Sequence, residues 1–263
     1  MTLEWDASEY EEVSTPQTGW GADFLETFRE RRGLRGDEVV IDAGCGTGRV
    51  TEFLLWHVPR GRVIAVDASR SMVEAARRRF AGDERVRVEH RDILELEVEE
   101  PVDVIFSTAT FHWILDHERL FGRLAQLLRP GGKLAVQCGG EGNIARTLAA
   151  TERVMGEGRF RDAFAGWEEG WNFADNGTTK VRLEAAGFEE VETWLHEENT
   201  EFASVGELAR FLKTVVLKSH LASLPEGERD PFAAAVAGLL AERESLVVDY
   251  VRLNILATRS GAA

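Results

Sequence analysis

Short apolar runs recur along the first half of the chain, each followed by residues whose apolar positions have helical spacing. Residues 39–42, 62–67, 86–90, 102–107 and 133–137 read as strands. The run 102–107 is so continuously apolar that it fits the centre of a parallel sheet. Between the strands, 49–57 carries Val50, Phe53 and Leu54 on one side, and 71–80 carries Met72, Ala75 and Ala76 behind a Ser69 cap. The helix 116–128 starts at Asp116 and is broken by Pro130-Gly131-Gly132. Residues 93–100 alternate acidic and apolar and read as a solvent-facing loop.

The flanks are less regular. A leader, 2–20, is rich in aromatics, and a helix follows over about 21–32, with Phe24, Leu25 and Phe28 on one face. After strand five come a helix over 143–155 and an irregular stretch with Phe160, Phe164, Trp167, Trp171 and Phe173. A short helix, 178–186, closes at Gly187, and strand six covers 188–196. The capping box Ser204-x-x-Glu207 opens a helix to about Ala222, another helix spans 231–244, and 246–258 has the β-formers of a last strand. Five strand–helix alternations and two late strands predict a doubly wound α/β fold with helical and aromatic insertions. Its sheet is expected to have seven strands in the order 3-2-1-4-5-7-6, the last antiparallel, with ligands at the carboxyl ends of the strands.

One stretch organises the rest. Residues 39–49 read V-V-I-D-A-G-C-G-T-G-R: a buried strand ends in an acid, and three glycines then lead into a helix. Gly44, Gly46 and Gly48 have no side chain to keep a ligand from the backbone. The second strand ends in Asp67, a carboxylate able to accept hydrogen bonds from both hydroxyls of a ribose. Dinucleotide folds space their glycines G-x-G-x-x-G, whereas here the spacing is G-x-G-x-G, with Arg49 where the third glycine would stand. Asp42 orders the loop, or binds a water or an ammonium group. Cys45 is a small residue that fits, with no neighbouring base to activate it.

Composition narrows the partners. The chain has 263 residues, 44% hydrophobic and 29% charged, enough for one domain with a full core. Its net charge of −15 disfavours a nucleic-acid substrate. Two cysteines give neither a disulfide framework nor zinc spacing, so a reducing, cytoplasmic compartment and no metal are expected. No apolar run is long enough for a membrane helix, and the first ten residues are unlike a signal peptide. A monomer or a homodimer is expected.

His112-Trp113 follows strand four, where reacting groups should meet. The histidine could bind an acceptor anion, act as a base, or be structural; Trp113 could wall the acceptor pocket or belong to the core. The leader, with Tyr10, Gln17 and Trp20, could pack the first helix on the body, close over a ligand, or do both.

D-A-G-C-G-T-G-R, V-I-A-V-D-A-S, the acid at Asp92 and L-L-R-P-G-G-K-L together resemble the class I S-adenosylmethionine-dependent methyltransferases. The resemblance implies S-adenosylmethionine as cofactor, with Asp42, Gly44, Cys45, Gly46 and Gly48 on its methionine side. Asp67 and Ala68 would face its ribose, Asp92 and Ile93 its adenine, and Thr108, Tyr10 and Trp20 would line the site. Finer segments, A-T-F-H-W-I-L-D-H, G-G-K-L-A-V-Q and V-D-Y-V-R-L-N-I-L-A-T-R, are similar to the trans-aconitate methyltransferase group. The His-Trp pair and Gln17 are also similar to juvenile-hormone-acid methyltransferases. Both groups methylate a carboxylate of a small molecule, which implies such an acceptor here, positioned by His112, Trp113 and Gln17. His112 stands where the first group commonly has glutamine. Acceptors at hydroxyl, phenol, amine, carbon or an acyl-carrier-bound acid stay open, as does a non-catalytic cofactor-binding protein. The expected division is a single domain, with 1–35 as lid and helices, 36–140 as cofactor core, and 141–263 as acceptor-side insertions with strands six and seven.

Overall fold

The computed structural model describes residues 4–242 and 246–261. The expected leader start at Thr2 and helix end at Glu244 lie outside the described residues. Seven strands form the main sheet: β1 Val39–Ala43, β2 Arg62–Asp67, β3 Val86–His90, β4 Val102–Thr108, β5 Leu128–Gly139, β6 Phe188–Glu197 and β9 Val251–Arg259. Their order is β3-β2-β1-β4-β5-β9-β6, with β9 antiparallel to both neighbours. This is the expected sheet, with β9 as its seventh strand. A small ribbon pairs β7 Thr200–Glu201 with β8 Val247–Val248. The expected single strand over 246–258 is therefore two strands, which join different sheets.

The sheet is covered on both faces, as a parallel sheet must be. On one face α2 Thr15–Arg32 and α3 Arg49–His57 pack Phe24, Leu25, Phe28 and Leu54 against Val40, Val104 and Phe106. On the other, α5 His117–Leu127 packs Leu120, Phe121 and Leu124 on Ile41, Ile105, Leu134 and Ile255. A third cluster has no strand of the main sheet in it. There α6 Ala145–Met155, α8 Val205–Phe211 and α10 Glu226–Ala241 gather around Phe160, Phe164, Phe211 and Phe232.

Several local expectations are corrected. The leader is helical: α1 Ala7–Val13 runs into α2, which begins at Thr15 instead of Gly21, with Pro16 in its first turn. The stretch 93–100 exposes Glu95, Glu97, Glu99 and Glu100 as expected, but it is not wholly solvent-facing: Ile93, which opens the 3-10 turn Ile93–Glu95, and Leu96 just after it are buried in the core. Pro130-Gly131-Gly132 does not separate helix from strand. β5 starts at Leu128, and the break is an irregularity in its pairing with β4, with Gly131 at φ 75°. The helix expected over 204–222 is three pieces, α8, a π turn Leu212–Val216 and α9 Lys218–Ala222. α10 begins at Glu226 and carries Pro231 inside it. α6 begins at Ala145, after Ile144 in a left-handed conformation.

Candidate active site

The glycine loop sits at the carboxyl end of β1 between β2 and β4. Gly44, Gly46 and Gly48 have φ of 80°, 55° and 88°, a region L side chains rarely adopt. A Cβ on Gly44 would lie 2.0 Å from Thr110 Oγ1, and one on Gly48 would lie 2.4 Å from Phe80. A Cβ on Gly46 would meet nothing within 4 Å. Two glycines thus serve tight packing, while the middle one leaves open space above the loop. The Gly44 and Cys45 N–H groups donate to Val66 O at 2.8 and 3.0 Å, locking the turn to β2.

Asp67 closes that turn from β2. Its Oδ2 accepts from Gly46 N–H at 2.8 Å and its Oδ1 from Ser69 N–H at 2.8 Å. Each oxygen keeps lone-pair capacity for a further donor, as a ribose diol would require. Burial raises the Asp67 pKa, and the two N–H donors oppose this. Asp42 is fully buried and accepts from Thr51 Oγ1 at 2.6 Å. Burial, with a smaller push from Asp67, lifts its pKa from 3.8 to about 7. The Cys45 thiol is pushed well above its ordinary pKa by burial and both acids, so it is no thiolate nucleophile.

Asp92 caps the turn after β3, its Oδ1 accepting from Leu94 N–H at 2.9 Å, and Ile93 is buried beneath it. Ala68 O is bonded to His90 Nε2 at 3.0 Å. Thr108 ends β4 and its carbonyl accepts from Thr110 Oγ1 at 3.0 Å. Tyr10, Gln17, Asp42, Gly44, Cys45, Gly46 and Thr108 line one cavity of about 50 Å³ between the loop and the leader helices. Trp20 does not line it. It packs edge-on to Tyr250 at 4.9 Å and under the Arg252 guanidinium at 5.0 Å.

The leader is strapped down by polar contacts. Glu4 caps α4 Arg70–Arg79, accepting from Ser69 Oγ at 2.7 Å and Ser71 N–H at 2.9 Å. Glu11 pairs with Arg79, and Glu12 with Arg210. Burial raises the Tyr10 hydroxyl pKa to about 12, helped by Asp67.

The 3-10 turn Phe111–Trp113 after β4 carries the acceptor-side candidates. Gly139 N–H donates to His112 Nδ1 at 3.3 Å, which fixes the tautomer: in the neutral ring the proton is on Nε2. Burial foremost, then the charges of Arg252 and His117, hold the His112 pKa well below its ordinary 6.5. His112 is thus a neutral hydrogen-bond donor at pH 7. Around it stand Trp113 at 5.2 Å and Phe173 at 5.8 Å, and Trp171 continues the wall at 5.5 Å from Trp113. Trp5 adds a further edge on Trp113 at 5.6 Å. Of the five insertion aromatics, Trp171 and Phe173 reach this wall, whereas Phe160, Phe164 and Trp167 join the helical core. Gln17 is buried with both amide atoms unpartnered, facing the Tyr250 hydroxyl without closing a hydrogen bond to it.

Sequence reasoning passed over Thr110, Glu4, Tyr250 and Arg252. The available signal for Arg252 was a charged residue inside the apolar run of β9, where burial on both faces leaves no outlet for charge. Among the described residues, no cluster could hold a metal ion, and no helix is long and apolar enough to cross a membrane.

A family model described as a methyltransferase domain matches residues 40–132. A trans-aconitate 2-methyltransferase of Methylobacterium nodulans is 33% identical over 73% of this chain and 67% of its own length. One of Rhizobium etli is 30% identical over 88% of each. Among solved structures, the YcgJ protein of Bacillus subtilis superposes with a TM-score of 0.63 at 15% identity, over 91% of this chain and 99% of its own. Haemonchus contortus phosphoethanolamine N-methyltransferase 2, in complex with S-adenosylhomocysteine, gives 0.58 at 20% identity over 90% of this chain and 52% of its own. The site fits that cofactor: Gly46 leaves open space above the loop, and Asp67 retains acceptor capacity. The chain belongs to the class I S-adenosylmethionine-dependent methyltransferases and is similar over most of its length to the trans-aconitate 2-methyltransferases.

Proposed function

We propose that this methyltransferase acts on a carboxylate of a small organic acid, trans-aconitate or a close relative, and gives a methyl ester. S-adenosylmethionine, when bound, supplies a methyl group already activated on a sulfonium. Asp67 would hold the ribose, Asp92 with the Ile93 N–H the adenine, and Asp42 with the glycine loop the methionine end. The leader forms a lid over that cofactor, with Tyr10 and Gln17 on its inner side. In this reading the chain is one domain in the cytoplasm, divided into lid (1–35), cofactor core (36–140) and acceptor side (141–263).

The observation that carries the carboxylate reading is the state of His112. Its Nδ1 is occupied by the Gly139 N–H, and its low pKa leaves it a poor proton acceptor. A hydroxyl or phenol acceptor needs a base. A carboxylate, with a reference pKa of about 4, is already ionised at pH 7 and needs none. His112 Nε2–H and the Gln17 amide then orient the acceptor, and neither removes a proton. Trp113, Trp171 and Phe173 exclude water, which favours a step in which opposite charges neutralise each other. Correct placement in such a pocket can contribute about 7–11 kcal/mol.

Incubation of the protein with labelled S-adenosylmethionine and trans-aconitate, with mass spectrometry of the product, tests the reading. A methyl ester is expected. Transfer only to alcohols, amines or carbon, across a metabolite panel that includes carboxylic acids, would overturn it.

A further inference from the structure

Among the described residues, Arg252 is the only lysine or arginine that is buried, at 2% exposure. Its guanidinium lies over the rings of Trp20 and Tyr250, at 5.0 and 5.9 Å, and its Nε is sealed from solvent without a partner. No carboxylate of the described residues is paired with it. Glu198, which feels its charge, is bonded to His196 at 3.1 Å. Arginine cannot shed its charge as a buried lysine can, so this is a fixed cation in the interior with no counter-ion. A fold does not gain stability from such a group, and the arrangement suits a residue that waits for an anion.

Its place in the fold says which anion. Arg252 stands opposite Gly139 in the β5–β9 ladder, and Gly139 N–H is the donor that holds His112 Nδ1. Next to it are two more buried groups without partners, the Tyr250 hydroxyl and the Gln17 amide. Three neighbouring side chains, from α2, from β9 and from the residue just before β9, thus present unsatisfied polar atoms at the end of the sheet where His112 lies. Building on the carboxylate reading above, we infer that Arg252 anchors an anionic group of the acceptor, a carboxylate other than the one that takes the methyl. A forked arginine pair on the attacking carboxylate would stabilise a negative charge that fades in the transition state, and so would slow transfer. On a second carboxylate the same pair fixes orientation and leaves the nucleophile free.

The test measures initial rates at saturating S-adenosylmethionine with two probes, trans-aconitate and the monocarboxylic acid crotonate, for wild type, Arg252→Met and Arg252→Lys. Calorimetry with S-adenosylhomocysteine runs in parallel as a check on folding and cofactor affinity. Arg252→Met is expected to raise the KM for trans-aconitate about 10- to 100-fold, with kcat within about threefold. Crotonate is expected to be a poor substrate of wild type and equally poor for the variant. Arg252→Lys keeps the charge and loses the fork, so its KM should fall between; it carries the test if Arg252→Met does not fold. Unchanged KM in a folded variant overturns the assignment alone, since wild-type turnover of trans-aconitate would still stand. Weakened S-adenosylhomocysteine binding overturns it too, by giving Arg252 to the methionine carboxylate. A wild type that methylates no carboxylic acid overturns this inference and the reading beneath it together.

Discussion

Asp42 offers a test in which protons report on the cofactor site. The carboxyl is buried beside Asp67 with one donor, Thr51 Oγ1, and its pKa is raised from 3.8 to about 7. An acid whose folded pKa is raised contributes stability in full below its unfolded pKa, and loses it as pH rises toward the folded one. The gap between 3.8 and about 7 corresponds to at most roughly 4 kcal/mol at ~1.36 kcal/mol per pH unit. Asp42→Asn should therefore stabilise the free protein at pH 8 and leave it little changed at pH 4, measured by urea melts. If Asp42 faces the cofactor's ammonium group, binding requires its ionised form. Affinity for S-adenosylmethionine should then fall below pH 7, by up to about 100-fold between pH 8 and pH 5. Calorimetry across that range checks it, with Asp42→Asn binding more weakly at pH 8 but with a flat profile. A flat wild-type profile, or a slope that survives in the variant, would refute the reasoning.

Asp67→Ala should lose about 1.5–3 kcal/mol of cofactor binding by calorimetry, the scale of hydrogen bonds to a charged group. His112→Gln keeps a neutral donor and should retain substantial turnover with altered acceptor preference; the wild-type rate should show no step near pH 6.5, because His112 stays neutral there. Gly44→Ala forces a Cβ to 2.0 Å from Thr110 Oγ1 at φ 80°, so it should lower the urea midpoint and abolish cofactor binding. The cavity of about 50 Å³ is far below the ~300–1,000 Å³ of ligand sites, so the lid reading expects the leader to shift when cofactor enters. Proteolysis between Glu4 and Ser14 should then slow once cofactor is bound, and equal cleavage rates would count against a lid.

What the sequence made legible was what local chemistry determines. The strand–acid–glycine run needs no partner to be read, because positive φ and close approach demand glycine at Gly44 and Gly48 wherever the chain folds. The sheet order followed from the alternation of β1–β5 and the two late strands. Where long-range packing decides, legibility ended. The segment 93–100 has an acidic surface pattern, yet Leu96 is fully buried because α5 closes over it. The cue for α2, Pro16 behind Ser14, was hidden under the aromatic content of the leader. Trp167 and Trp171 are near neighbours in sequence, but only the second touches Trp113, a matter settled by the fold of the insertion. Arg252 is the extreme case: its meaning depends on Gly139, Tyr250 and Trp20, none of which marks it out locally.

The titrations of the site point one way. The cysteines, tyrosines and histidine around the proposed acceptor wall are each held out of the role of base or nucleophile by their surroundings. Cys45 is kept as a thiol by burial and two acids, and Cys138 is pushed up to about 12 by burial. Tyr10 and Tyr250 are kept as phenols by burial. His112 has one nitrogen engaged by a backbone N–H and the other protonated. In the proposed reading, a histidine without a free acceptor nitrogen suits an acceptor that arrives ionised better than an alcohol. Such an acceptor must be drawn into a chain of net charge −15. That needs a local cation held away from the chain's own acids, because an arginine already paired at the surface has little attraction left to offer. Burial of Arg252 next to unpaired Gln17 and Tyr250 meets that need. On the carboxylate reading, the neutral His112 and the unpaired Arg252 are then two sides of one arrangement.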